Sequence, residues 1–281
     1  MEDTRQRILD RVRAHYNYLC EQDYEVMFTA LQGSQNYGLD IYTDDYCSDV
    51  DTKSIILPTL DDFIWNHAPV STIRIMPDSE EHAEVKDIRI MFEMFRKANL
   101  SYIELLYSDY VIINPKYQEQ VDRLLKMRDE IVNADPRRFM LAAMGMVFEK
   151  RKALTHPYPS VEERIAEYGY DGKQLSHALR VVNFMQRYIE GEDIKSCFKV
   201  KRAIAKYLID IKTHKEVLTV EEAIEGADDC CARAKEIAES IAKTESEPRV
   251  AHILNEIQAE TMKQYILESM GGKSNELESA N

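Results

Sequence analysis

The sequence predicts an α+β chain: a mixed sheet with flanking helices, followed by a C-terminal helical bundle. Three observations lead there. Before residue 115, short apolar runs closed by Gly or Pro alternate with helical patterns. Beyond the segment VIINP (111–115), helical periodicity takes over. A chain of 281 residues is long enough for one large domain or two smaller ones, each with its own core. The predicted organisation is a mixed domain over 1–115, a helical domain over 116–270 and a disordered tail over 271–281.

The elements follow in order. Residues 3–22 read as an amphipathic helix, with Ile8, Val12, Tyr16 and Leu19 at helical spacing. Residues 24–31 (YEVMFTAL) read as a buried strand ending at Gly33, and 50–57 (VDTKSIIL) as a second strand closed by Pro58. The stretch 71–85 holds a third strand or a hairpin and leads into EVKDIRIMF. A helix follows from about Ile90 through Lys97, and IELLY continues it after a break at Asn99. Residues 117–132 are helical, and Asp135-Pro136 is an N-cap with proline at the first helical position. That helix reaches His156-Pro157. Further helices cover 172–190, 198–213, 219–243 and 248–270, with Thr219 and Glu222 forming a capping-box signature.

Composition narrows the function classes. No apolar run approaches the roughly 18 residues of a membrane span, and the charged N-terminus lacks a secretory signal. Cys20, Cys47, Cys197, Cys230 and Cys231 form no CxxC pair and no zinc spacing, which fits a reducing cytoplasm. A net charge of −14 argues against a general clamp on nucleic acid. It leaves open a local basic groove, a small-molecule acceptor or a protein acceptor.

The chemistry gathers around two short motifs. Asp49 and Asp51 stand two apart at the opening of a strand, so both side chains project from one face. Carboxylates that close repel each other unless a cation lies between them, and Mg²⁺ bridges such oxygens to substrate phosphates. Upstream, Gly33-Ser34 closes the preceding strand and opens a short helix through Tyr37. Glycine lets the backbone approach a phosphate, the amides of the turn favour negative charge, and the Ser34 hydroxyl adds a donor. Tyr37 itself reads as packing, Glu104 as structural, and Asp44 and Asp45 as solvated loop acids. Lys53 continues the alternation of Asp49 and Asp51 and is expected to neutralise them by ion pairing. Asp87 reads as an acid at the mouth of a helix, favoured by the helix dipole. Lys173, His177 and Arg180, at i, i+4 and i+7, share one helix face. The run KVKRAIAKYLIDIKTHK (199–215) is the one local concentration of positive charge, either a solvated helix face or a guide for an RNA end. His67, His82, His156, His214 and His252 show no metal-ligand spacing.

Taken together, GSQNYG (33–38), SDVD (48–51) and the later Asp87 resemble the DNA polymerase β-like nucleotidyltransferases. Residues 33–57 are most similar to a bacterial and phage group that includes RNA-repair-associated members. The resemblance covers about 28–110 well and extends more loosely to YDGKQLSHALR (170–180). It implies that Asp49 and Asp51 bind two Mg²⁺ (or Mn²⁺) ions. Asp87 would hold the ion that activates the acceptor and would take its proton. Lys173 would touch the triphosphate, and His177 would be a binding residue beside it. The implied reaction moves a nucleoside monophosphate from a nucleoside triphosphate to an acceptor hydroxyl, releasing pyrophosphate. The acceptor could be an RNA 3′ end, a protein side chain or a small molecule. Two alternatives stand beside it: a nucleotide-binding regulatory module without turnover, and an antitoxin-like enzyme that modifies a partner protein.

Overall fold

Helix α1 (Glu2–Glu21) buries Ile8, Val12 and Leu19 along one stripe, as their spacing demands. The structure is a computed structural model that describes residues 2–43, 47–243 and 248–279, with side chains for 4–43, 47–243 and 248–270. Asp44 and Asp45 lie outside the described residues. Strand β1 (Val26–Gln32) is buried over six of its seven residues, which marks it as central in a sheet covered on both faces. A one-turn helix, α2 (Ser34–Tyr37), separates it from β2 (Asp51–Ile56). Next come α3 (Leu60–Ile64), β3 (Ser71–Ile75), β4 (His82–Asp87), α4 (Ile88–Arg96), α5 (Leu100–Ile103) and β5 (Val111–Ile113).

The sheet order is β3-β4-β2-β1-β5. All neighbours are antiparallel except β2 and β4, which run parallel, so the sheet is mixed. The stretch 71–85 is thus the hairpin β3–β4. Periodicity alone predicts no strand at 111–113, because three residues are too few to show a period; pairing with β1 creates it. Helix α3 is another element without a sequence expectation. Its signal is present, since Thr59 and Asp62 form a reciprocal capping box.

Every described strand precedes residue 115. The helical part comprises α6 (Gln118–Lys126), α7 (Arg128–Asn133), α8 (Pro136–Ala153), α9 (Glu162–Tyr168), α10 (Gly172–Ile189), α11 (Ile194–Phe198), α12 (Arg202–Lys212), α13 (Val220–Ser240) and α14 (Pro248–Ser279). Asp135 caps α8 through Arg138 N–H (2.8 Å), and Thr219 and Glu222 box the start of α13. Helix α14 is described beyond residue 271, where the tail was expected to begin. No helix among the described residues is long and apolar enough to cross a membrane.

The main core does not respect the boundary at 115. Met27, Phe28, Ile88 and Phe92 from the sheet side join Phe139, Val181, Phe184 and Leu254 from the helical side in one buried cluster. Phe139 and Phe184 meet edge to face at 5.7 Å. Helix α14 packs back on α4, where Arg96 donates to Asn255 (2.9 Å) and Gln258 (3.0 Å). The predicted border is therefore a change of secondary structure over a shared interior.

Candidate active-site cleft

The register of β1 against β2 sets Gln32 opposite Asp51. The Gly-Ser turn that leaves β1 and the carboxylates that enter β2 are consequently neighbours at one end of the sheet. Gly33 has φ 110°, a conformation L side chains rarely adopt, although the space beside it is open. Its backbone, not crowding, requires glycine there. The turn feeds α2, and Gln35 Nε2 on α2 donates to the carbonyl oxygen of Asp49 (2.6 Å). From the other side, the buried Glu81 accepts Val50 N–H (3.0 Å), while Arg11 (2.6 Å) and His15 (3.2 Å) hold its second oxygen. Both flanks of the Asp49–Asp51 segment are thus tied to the frame. The pair projects into a cavity of about 670 Å³ between the sheet and the helices.

Gly33, Ser34, Asp49 and Asp51 line one wall of that cavity, and Lys173 and His177 of α10 line the other. Six residues expected to share a site from sequence are therefore brought together across more than a hundred intervening positions. The opposite wall also carries Arg164, Lys212 and Lys215. Arg164 is paired with Asp171 (3.2 Å). Lys173, Lys212 and Lys215 have no salt bridge among the described residues, and no Lys or Arg pairs with Asp49 or Asp51. Asp51 accepts instead from His82 N–H (2.9 Å), with the His82 imidazole at 3.4 Å.

Proton affinities follow from this separation of charge. Burial, followed by the nearby Asp51 and Glu81, pushes the Asp49 carboxyl above its ordinary range. Burial and Lys173 pull the Lys212 ammonium down. His177, facing Arg180, Lys150, Lys173 and Lys212 in a desolvated position, falls well below the ordinary histidine value and is a neutral imidazole at neutral pH. The cleft is an acidic rim facing a basic one.

Asp87 is not part of it. It pairs with Ile56 in the parallel ladder, whereas His82 stands at the level of Asp51. Five residues at roughly 3.3 Å each put Asp87 about 16 Å further along the strands. There it caps α4 by accepting Arg89 N–H (2.8 Å), and the Arg89 guanidinium grips both its oxygens (2.9 and 2.6 Å). It is 1% exposed. The local reading, an acid at a helix mouth, describes this position, and a catalytic role in this cavity does not. The nearest β4 carboxylate on the face of Asp51 is Glu84, held by Lys53 (3.0 Å) and Lys86 (2.9 Å).

Two neighbouring expectations also change. Lys53 does not neutralise the aspartate pair; it is buried, pairs with Glu84 and lies 4.1 Å over the Tyr102 ring. Arg180 shares the helix with Lys173 and His177 but turns inward, its guanidinium 3.6 Å over the Tyr37 ring. Tyr37 in turn donates to the buried Glu104 (2.6 Å), so the packing expected of Tyr37 and the structural role expected of Glu104 are one contact. The basic run 199–215 divides. Lys199 pairs with Asp109, Lys201 with Glu192 and Lys206 with Asp210, while Lys212 and Lys215 reach the cavity. Arg164 and Glu81 carry no motif, and Gln35, though inside GSQNYG, has no part assigned by the sequence; their parts follow only from the fold.

Among the described residues, no group of three or more His, Cys, Asp or Glu is arranged to hold a metal ion. No protein-family model matches the sequence, and no curated protein matches it.

Proposed function

We propose that the chain is a metal-dependent nucleotidyltransferase of the polymerase β-like kind. It would transfer a nucleoside monophosphate from a nucleoside triphosphate to an acceptor hydroxyl, with release of pyrophosphate. One observation carries this reading: Gly33, Ser34, Asp49 and Asp51 face Lys173 and His177 around a single cavity.

The donor set fits a divalent cation in part. Asp49 and Asp51 form a carboxylate pair with no Lys or Arg partner among the described residues, and Asp49 binds a proton too readily for an ordinary surface acid. Two carboxylates completed by substrate phosphate oxygens and water suit Mg²⁺ or Mn²⁺. Asp87 does not fit, being committed to Arg89 at the far end of the strand. When bound, the ion would neutralise phosphate charge and make the acceptor hydroxyl easier to deprotonate.

The chain's own residues supply the rest. Gly33 and Ser34 offer a backbone turn and a hydroxyl to phosphate oxygens. Lys173, Lys212 and Lys215 offset the charge of the departing pyrophosphate as the bond from the α-phosphorus to its bridging oxygen breaks and the acceptor oxygen bonds to that phosphorus. With Asp87 elsewhere, the acceptor proton has three candidate destinations facing the cavity, the Asp49 and Asp51 carboxylates and the neutral His177 imidazole. A basic wall of this kind suits an anionic acceptor, whether an RNA end, a protein or a small molecule.

The position of Asp87 favours a second reading, a nucleotide-binding module without turnover, because one of three expected carboxylates does not face the cleft. Incubation with Mg²⁺ or Mn²⁺ and each α-labelled nucleoside triphosphate, in the presence of RNA, a lysate protein pool or no acceptor, separates the two. Transferred label with pyrophosphate release, lost in Asp49→Asn, supports the enzyme. A labelled partner protein would identify the antitoxin-like variant. Nucleotide binding without transfer in any arm would leave the regulatory module.

A further inference from the structure

The turn that closes α12 carries cations into the cleft and meets α10 through one ring. Residues 212–215 close α12, their amides after Lys212 bonded back to the carbonyls of Ile209, Ile211 and Asp210; His214 is in the left-handed region (φ 54°), and Lys212, Thr213 and Lys215 line the cavity. The His214 ring sits beneath the first turn of α10, where Gly172 N–H donates to its Nε2 (3.3 Å). It is stacked on Tyr168 with centroids 3.9 Å apart and lies 5.0 Å from Tyr170. Gly172 has no space for a side chain: a Cβ would fall 2.2 Å from the Ile211 carbonyl oxygen and 3.2 Å from His214 Nε2. The end of α12 and the start of α10 therefore meet at closest approach one residue before Lys173.

We propose that His214 is a positioning residue: by accepting Gly172 N–H it pins residues 212–215 to the start of α10 and so sets Lys212 and Lys215 beside Lys173 around a bound polyphosphate. This rests on the nucleotidyltransferase reading of the cleft. The bond requires a neutral ring with its hydrogen on Nδ1, since an imidazolium has no lone pair to offer the amide. Around the ring, burial opposes protonation most, helped by Arg164 of α9, and together they outweigh Asp171 before α10 and Glu167 of α9, so the imidazole titrates below its ordinary range; Lys212, Lys215 and Lys173 line the cavity beside it. Acidification would replace an accepting nitrogen by a second donor facing Gly172 N–H, and the turn would lose this bond to α10.

Two substitutions separate this role from simple packing. His214→Gln keeps an acceptor but no longer titrates; His214→Phe keeps a ring for Tyr168 but cannot accept. Affinity for a non-hydrolysable nucleoside triphosphate analogue, with Mg²⁺, is measured by calorimetry from pH 5.5 to 8 for the full-length protein and both variants, with Tm alongside. At pH 8, His214→Gln is expected to match the native protein and His214→Phe to bind about threefold to tenfold more weakly, the loss of one hydrogen bond. On acidification, the native protein should weaken relative to His214→Gln. That ratio cancels titration of the analogue and of His177, and it decides the matter alone if His214→Phe is unstable. A flat native-to-Gln ratio together with native affinity in a folded His214→Phe overturns the positioning role and leaves the nucleotide reading intact. A native protein that binds no triphosphate analogue overturns both.

Discussion

The two ends of the β2–β4 ladder hold aspartates in opposite circumstances. At one end Asp49 and Asp51 open on a cavity with no Lys or Arg partner among the described residues. At the other, Asp87 is buried, capped onto α4 and gripped by Arg89 on both oxygens. All three are acids beside a strand end, and residue type cannot tell them apart. What differs is whether the fold supplies a counter-charge. An acid whose partner is built in contributes to stability, while an acid pair left facing a basic wall is available to a ligand.

The contrast breaks most sharply on activity. Asp49→Asn or Asp51→Asn should lower nucleotidyl transfer about a hundredfold or more, in line with removal of a group that stabilises developing charge, whereas Asp87→Ala should leave transfer per folded molecule within about twofold. Comparable losses at both ends, measured as pyrophosphate release, would return Asp87 to the chemistry and require strand geometry other than that described. Stability should show the reverse ranking. Asp87→Ala removes a helix cap and strands Arg89, and should cost about 2–4 kcal/mol in urea unfolding. Asp49→Asn should cost nothing.

On the basic wall, Lys173→Ala should weaken triphosphate binding by about tenfold, the scale of one lost charge-assisted contact, with a smaller change in the rate of the chemical step at saturation. An unchanged affinity would make that wall structural. The smallest effect concerns pH. The folded state raises the Asp49 carboxyl, so native protein binds more protons there than the unfolded chain and loses stability as pH rises through that range. In metal-free buffer Asp49→Asn should therefore melt slightly higher than the native protein at neutral pH. The gap should close as pH falls through the folded carboxyl's titration. A constant gap would assign the effect to something other than charge repulsion.

Much of the cleft is legible in the sequence because its parts are short and local. Gly33-Ser34 and Asp49-Val-Asp51 announce themselves by spacing, and the i, i+4 placement of Lys173 and His177 survives as a shared wall. The same spacing argument fails at Arg180, since i+7 points within about 20° of i but lies about 10.5 Å further along α10, where Tyr37 takes the guanidinium. Asp87 fails for a different reason. Its position depends on the parallel register of β2 and β4, and no residue on β2 states how far β4 has slid. Lys53 is caught by the same uncertainty, because Glu84, its true partner, is recruited by that register. Strand β5 and the contributions of Glu81 and Arg164 are contacts between distant segments, which local periodicity does not encode.

The interior shared across residue 115 has a mechanical meaning. Ile88 and Phe92 rest against the same buried mass as Phe139, Phe184 and Leu254, so a cut at that border would leave bare apolar surface on both pieces. The acidic and basic rims are therefore two lips of a notch above one shared apolar interior. Whatever enters must suit a gap whose width is set by the packing beneath it, and selection there would be made by fit at the threshold.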